Sequence, residues 1–484
     1  MNNYMLKYSI FIFVTALYAQ LSHDSFPKSL DNELIGDIPT FKTAPLNIDQ
    51  LYLEDISDKA NGLPYRFGYS FPVNIDFFDL ASCHLLPNED KICRLQLESE
   101  DAYSINMIFN YFFLSEGSEL FIYNPGYSDI LGAFTNENNK SYNRFSTSPI
   151  DGDIVIIEYY EPHTSDESII NISNIINGYK NVFRGYEDSE ECNNNVNCPD
   201  FQSWNDEISS VVLTLTDGGT RLCSGSMINN VNQDLELYFL TSETCLGGHE
   251  DWIFMFNYES PGCNNQDGST SQTVSGATLL AHDSESDFAL LRLEEIPPVE
   301  YDIYFSGWDV SGNNPINCTS IHHPVGDIKK ISNHEGVAIS DGWFFNDDTH
   351  WRIDEWVEGI TEPGSYGAPL FNQNKQIVGQ LHGGESSCQE PIDDYYGKLS
   401  HSWNLGLKDW LDPNNTGVTT LDGIGVINSP DPEITYSNDT YDVLMLENEL
   451  ETLNLLLTNT GEEESILNYQ IYNSPFFETY TTPD

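Results

Sequence analysis

Apolar and polar residues alternate along most of this chain. Between Val73 and Pro162 the runs INMIFNYFFL, SELFIYNP and DIVIIEYYEP carry a period near two, and EGSE, NPGYSD and SPIDGD separate them as turns. That pattern predicts a β-sandwich. From Trp204 to about Gly423 the same habit returns in SSVVLTLTD, LCSGSMINN, ELYFLTS, SDFALLRL and QIVGQLHGG, with Gly218-Gly219 suited to a tight hairpin between the first two. Helical spacing shows in WNLGLKDWLDP, where Pro413 is a stop. Leu21 to Lys59 is polar, lacks a strong period and reads as a loosely ordered lead-in. After Pro430, YDVLMLENELETLNLLLTNTGEEESILNYQIY reads as the start of a further sandwich with too few strands to close. The chain is therefore expected to be mainly β. Its parts are a leader at 1–19, an N-terminal region at 20–185 whose sandwich spans about 60–180, a second domain at 186–423, and a partial β module at 430–484.

Residues 1–19 add a location. One early lysine, an apolar run from Ile10 to Tyr18 and a small residue at Ala19 form a secretory leader, with cleavage expected after Ala19. The run is too short for a membrane span, and no later segment reaches that length. An exported protein follows, and nine cysteines then read as disulfides with one left over. Cys83 and Cys93 lie close together and are expected to pair. The 76 acidic and 19 basic residues give a net charge of −57, which excludes phosphate backbones and anionic membranes as partners. Solubility is the plain consequence of that charge; cationic ligands would be steered toward it.

The second domain resembles the lysyl endopeptidases, secreted bacterial serine peptidases built on a trypsin-like double β-barrel. LCSGSMINN, YFLTSETC, SDFALLRL, FSGWD, IHHPVGDIKKIS, TEPGSYGAPLF, VGQLHGGESSC and KDWLDP follow the family's order between about Glu191 and Gly423. The resemblance implies a double barrel preceded by a pro-like β domain. It also implies a triad in which a hydroxyl attacks, an imidazole moves the proton and a carboxylate orients the imidazole. Carried over position by position, the carboxylate is Asp287, the imidazole position holds Thr244, and the nucleophile position, the last residue of GSYGA, holds Ala368. Tyr366 and Gly367 form the oxyanion turn, where a phenol replaces the family's small residue. Alanine cannot attack a carbonyl, and threonine is no base near neutral pH. Loss of the serine alone costs on the order of a million-fold in a well-studied case.

The recognition residues fare better. Asp394 in CQEPIDDYYG matches the carboxylate at the base of the specificity pocket, with Asp393 as its understudy, while His382 and Trp343 match an imidazole and an indole beside it. The resemblance further implies the disulfides Cys192–Cys388, Cys198–Cys263 and Cys223–Cys245, leaving Cys318 as a buried, inert thiol. No cofactor or metal is expected, because adjacent His322 and His323 point different ways on a strand. The expectation is a peptidase homologue without peptidase activity that binds peptides with exposed lysine. Two rivals stand beside it: an active peptidase with relocated groups, for which Ser365 and His249 are the candidates, and a structural or adhesive extracellular protein. Lys180 and Arg184 mark the junction where an active enzyme would release its N-terminal region; an inactive one would keep it.

Overall fold

Val, Ile, Phe and Tyr at alternate positions become strands whose inward side chains fill several buried clusters. The computed structural model describes residues 4–8, 26–31, 37–183, 189–343, 348–426, 434–436, 441–445 and 457–459. The chain divides into two units, Tyr18–Gly425 and a smaller one made of Met1–Leu17 with Val426–Asp484. In the smaller unit Tyr4–Tyr8 pairs antiparallel with Tyr441–Met445, and Ile434–Tyr436 with Leu457–Asn459. Ala19, the rest of the C-terminal module and the junction at Arg184 lie outside the described residues. Among the described residues no helix is long and apolar enough to cross a membrane.

The larger unit begins with a β-sandwich. One sheet runs Phe145–Ser146, Ser104–Phe113, Ile169–Gly178, Gly68–Asp76; the other runs Thr40–Lys42, Lys91–Glu98, Ile154–Glu161, Glu119–Tyr123, Ile130–Phe134. Leu95, Phe109, Phe112, Phe145 and Ile157 are buried in one cluster drawn from both, each contributing about 1.5–3 kcal/mol relative to exposure. Cys83 and Cys93 stand opposite each other in register and form a disulfide.

The lead-in departs from expectation. Ile48–Ala60 is a 13-residue helix rather than loose chain, started by the Asn47 side chain, which accepts from the Gln50 N–H at 3.3 Å. Only Leu51 of this helix is buried, so the periodic signal that would have announced it is weak.

The second domain holds two sheets. The first is ordered Thr273–Ser275, Ile253–Met255, Val211–Thr216, Arg221–Met227, Tyr238–Thr241, Phe288–Leu293, Ala277–Asp283. The second is built around Lys330–Glu335, Asn317–His322, Pro369–Phe371, Ile377–Gly384, Asp394–Lys398 and His350–Ile353. Leu240, Leu290, Trp308, Ile321, Ile331 and Phe371 pack together between them. Gly218 and Gly219 take φ of +65° and +75° in the first hairpin, which an L side chain resists. The fold is mainly β, with the cleft residues drawn from both sheets.

The sandwich is joined to this domain by more than a linker. Strand Tyr65–Arg66 adds to Arg221–Met227, with Leu222 opposite Tyr65. Phe67 and Val182 share a buried cluster with Leu213, Leu222 and Met255. Arg221 donates to Asp58 at 2.6 Å and to the Pro64 carbonyl at 2.7 Å. Disulfides Cys192–Cys388, Cys198–Cys263 and Cys223–Cys245 tie the linker and the first sheet, and Cys318 is free and buried.

Candidate functional site

Asp287 lies at the head of strand Phe288–Leu293 and is 2% exposed. Strand Tyr238–Thr241 ends in a short turn, Glu243–Cys245, whose cap is Ser242. That turn delivers every donor the carboxylate has among the described residues. The Ser242 hydroxyl donates to Oδ2, while the Thr244 N–H and hydroxyl both donate to Oδ1, at 2.8 and 2.9 Å. Burial raises the Asp287 pKa to about 7, against the pull of these hydrogen bonds. No imidazole bonds to it among the described residues. His282 pairs instead with Glu243 at 3.5 Å, and His249 belongs to the separate turn His249–Asp251.

The turn Thr361–Ala368 holds the residues expected to carry the nucleophile and the oxyanion donors. Ala368 is 0% exposed and packs with Leu370, Leu381 and Tyr396. Its N–H donates to the Ser365 carbonyl at 2.9 Å, and the Gly367 N–H donates to the Leu381 carbonyl at 2.9 Å. Neither group is left to hold an oxyanion. The N–H groups of Gly364 and Tyr366, two residues apart, have no acceptor among the described residues. Serine peptidases of this type use the N–H of the nucleophile and of the residue two before it. Tyr366 supplies the second of these two free N–H groups. Its ring lies against Gly383, where a Cβ would be 3.4 Å away, and a Cβ built on Gly62 of the N-terminal region would lie 4.0 Å from its hydroxyl. Burial, then the charge of Asp287, pushes this phenol up to about 12, so it stays protonated.

Ser365 does meet a histidine, though not His249. Its hydroxyl lies 2.8 Å from His322 Nδ1, and His322 Nε2 lies 3.0 Å from the Ser332 hydroxyl. All three are buried beneath the turn, and burial holds His322 down at about 3. This pair has neither a carboxylate partner nor access to a substrate carbonyl. His323 is likewise buried, its Nδ1 bonded to the Asp327 carbonyl at 3.0 Å. Among the described residues no three histidine, cysteine or carboxylate groups converge as metal ligands.

Asp394 opens strand Asp394–Lys398 and is completely buried. Its Oδ2 accepts from Trp356 Nε1 at 2.6 Å, Ser386 Oγ at 2.7 Å and Thr361 Oγ1 at 2.9 Å. Burial raises it to about 6. Its Oδ1 approaches Gly384 so closely that any Cβ there would collide with it. Asp394 thus stands behind the wall that Thr361 and Ser386 form, one layer away from ligand, and Asp393 is engaged by Arg352 at 2.8 Å. The cavity in front of that wall measures about 420 Å³ and exposes the carboxylates Glu190, Glu362 and Glu385, which sequence reasoning missed. Glu362 accepts from the Glu190 N–H at 2.9 Å and from Asn193 Nδ2 at 2.7 Å; burial, with Glu190 nearby, raises it to about 7. Glu190 is fixed in turn by the Cys388 N–H at 2.8 Å, beside the Cys192–Cys388 disulfide. Trp343 stacks on His382 at 4.1 Å and 20°, and His382 Nδ1 lies 2.9 Å from His350 Nε2. Burial keeps both imidazoles neutral, His382 at about 3 and His350 at about 4.

Comparison with known proteins agrees with the motif order. Residues 186–397 match the family described as lysyl endopeptidase, C-terminal domain. The lysyl endopeptidase of Pseudomonas aeruginosa is 28% identical over 210 residues, which is 40% of this chain and 44% of that protein. The match therefore spans less than half of that relative's length. Among solved structures, the HtrA-type protease AlgW with tripeptide is similar at TM-score 0.32 and 14% identity, over 44% of this chain and 63% of that one. A thermostable serine protease, AL20, from an extremophilic microorganism is similar at TM-score 0.30 and 16% identity, over 40% of this chain and 94% of that one.

Proposed function

We propose, from the premise that residues 186–397 belong to the lysyl endopeptidase C-terminal-domain family, that this domain holds basic peptides in its cleft and does not cut them. One observation carries the reading: the buried carboxylate Asp287 is satisfied by Thr244 and Ser242, so the position of the proton carrier is taken by a hydroxyl that cannot act as a base. With Tyr366 in the nucleophile's place, neither attack nor proton transfer has a group to perform it. The acidic cavity favours binding. Glu190, Glu362 and Glu385 line it, and an ammonium there would gain charge-assisted hydrogen bonds in a partly dry setting. Four disulfides fit an extracellular setting, where such bonds persist. In this reading the N-terminal sandwich stays attached, because the domain cannot free itself.

The test uses the purified full chain. It should remain unlabelled by a fluorophosphonate and leave a lysyl amide intact, while binding a lysine-bearing peptide in a fluorescence anisotropy titration. Turnover lost in a Ser365→Ala variant would overturn the inactive assignment. Failure to bind basic peptides would instead favour a structural role.

A further inference from the structure

We infer that the cleft recognises the carboxyl-terminal end of a peptide whose last residue is basic. This rests on the basic-peptide reading above and sharpens it. The first observation is the unused donor pair. Gly364 is buried and Tyr366 half-buried, yet neither N–H has an acceptor among the described residues. Unpaired buried N–H groups are rare and costly. Two such donors, two residues apart in one turn, supply the parts of an anion receptor of the kind that captures a terminal carboxylate. In an active peptidase such donors wait for an oxyanion that forms during attack. Here no attack occurs, so the anion they suit must arrive already charged.

The second observation is the distribution of charge around one cavity. Lys59, exposed at the end of helix Ile48–Ala60, borders the same space as Glu190, Glu362 and Glu385, and forms no ion pair among the described residues. Unused cations are scarce in a chain with 19 basic and 76 acidic residues. An ammonium on the rim and carboxylates within match a ligand that carries both signs a few bonds apart. A carboxyl-terminal lysine or arginine is such a ligand.

The third observation separates an end from an interior residue. Tyr366 lines this cavity together with Lys59 and Ala60, and a Cβ on Gly383 would lie 3.4 Å from its ring, so the phenol and the end of the helix bound the cleft on one side. A peptide that continued past its basic residue would meet this barrier; one that stops there would not. The N-terminal region thereby supplies a wall of the site as well as a cation.

The experiment is a titration of the full chain with three labelled peptides. Two are identical except that one ends in lysine with a free carboxylate and the other in lysine amide; the third carries two more residues after the lysine. The free acid should bind at least about tenfold tighter than either other peptide, the scale of one charge-assisted hydrogen bond. Lys59→Met, on an exposed side chain, should weaken the acid and leave the amide unchanged. Acid and amide affinities within that tenfold overturn the end-recognition inference while leaving basic-peptide binding in place. Absence of binding by all three overturns both.

Discussion

Thr244 gives Asp287 two hydrogen bonds on a single oxygen: its N–H at 2.8 Å and its hydroxyl at 2.9 Å both reach Oδ1. Asp287 is thus housed without an imidazole among the described residues, held by packing and hydrogen bonding.

Restoring the lost groups tests which position is the nucleophile's. The double variant Thr244→His with Tyr366→Ser should regain fluorophosphonate labelling at residue 366 and raise lysyl ester hydrolysis by about a hundred-fold or more, the scale of a restored general base. Thr244→His with Ala368→Ser should gain neither, because position 368 is buried and its N–H is already engaged. Labelling at 368 would reverse the register assigned here.

Asp287 sets a pH dependence of stability. An unfolded aspartate titrates near 3.9, and the folded one is raised to about 7 by burial. Between these values the folded state binds the extra proton. The stability it contributes is therefore complete below about pH 4 and is lost as pH climbs through 7. Asp287→Asn should flatten the urea-unfolding profile across that window, with a difference of up to about 4 kcal/mol. An unaltered slope would count against this account.

Glu362 should control binding in the opposite sense. Its carboxylate, raised to about 7, attracts an ammonium only when ionised. Affinity for a lysine-bearing peptide should fall about threefold to tenfold between pH 8 and pH 6, given the modest worth of one partly exposed charge pair. Glu362→Gln should be weak at both values and nearly pH-independent in the same titration.

Cys318 should be silent toward thiol reagents. Burial pushes its thiol up to about 12, so thiolate is scarce even with His334 opposite it on the neighbouring strand. Native protein at pH 8 should show no iodoacetamide adduct by mass spectrometry, whereas urea-unfolded protein should be modified at this single site.

Much of the fold was legible because short runs rich in β-branched and aromatic residues mark strands even where both faces are buried, as in Val211–Thr216. Gly218-Gly219 marked its hairpin for a steric reason that sequence carries directly. Helix Ile48–Ala60 was not legible, since it buries little more than Leu51 and its Asn47 cap was the sole strong cue. The nucleophile register is hidden for a different reason. Tyr366 and Ala368 both flank Gly367, and only through-space bonds, Ala368 to Ser365 and Gly367 to Leu381, separate the inner from the outer position. Glu190 and Glu362 were hidden by composition: among 76 carboxylates, nothing local distinguishes two that line a cavity.

Strand Tyr65–Arg66 carries a last implication. Because it is stitched onto Arg221–Met227, and because Phe67 fills space among Leu213, Leu222 and Met255, detaching the sandwich would bare a strand edge and hollow out a core at one stroke. Open edges of that sort recruit other chains. Recombinant residues 189–426 alone would consequently be prone to clump.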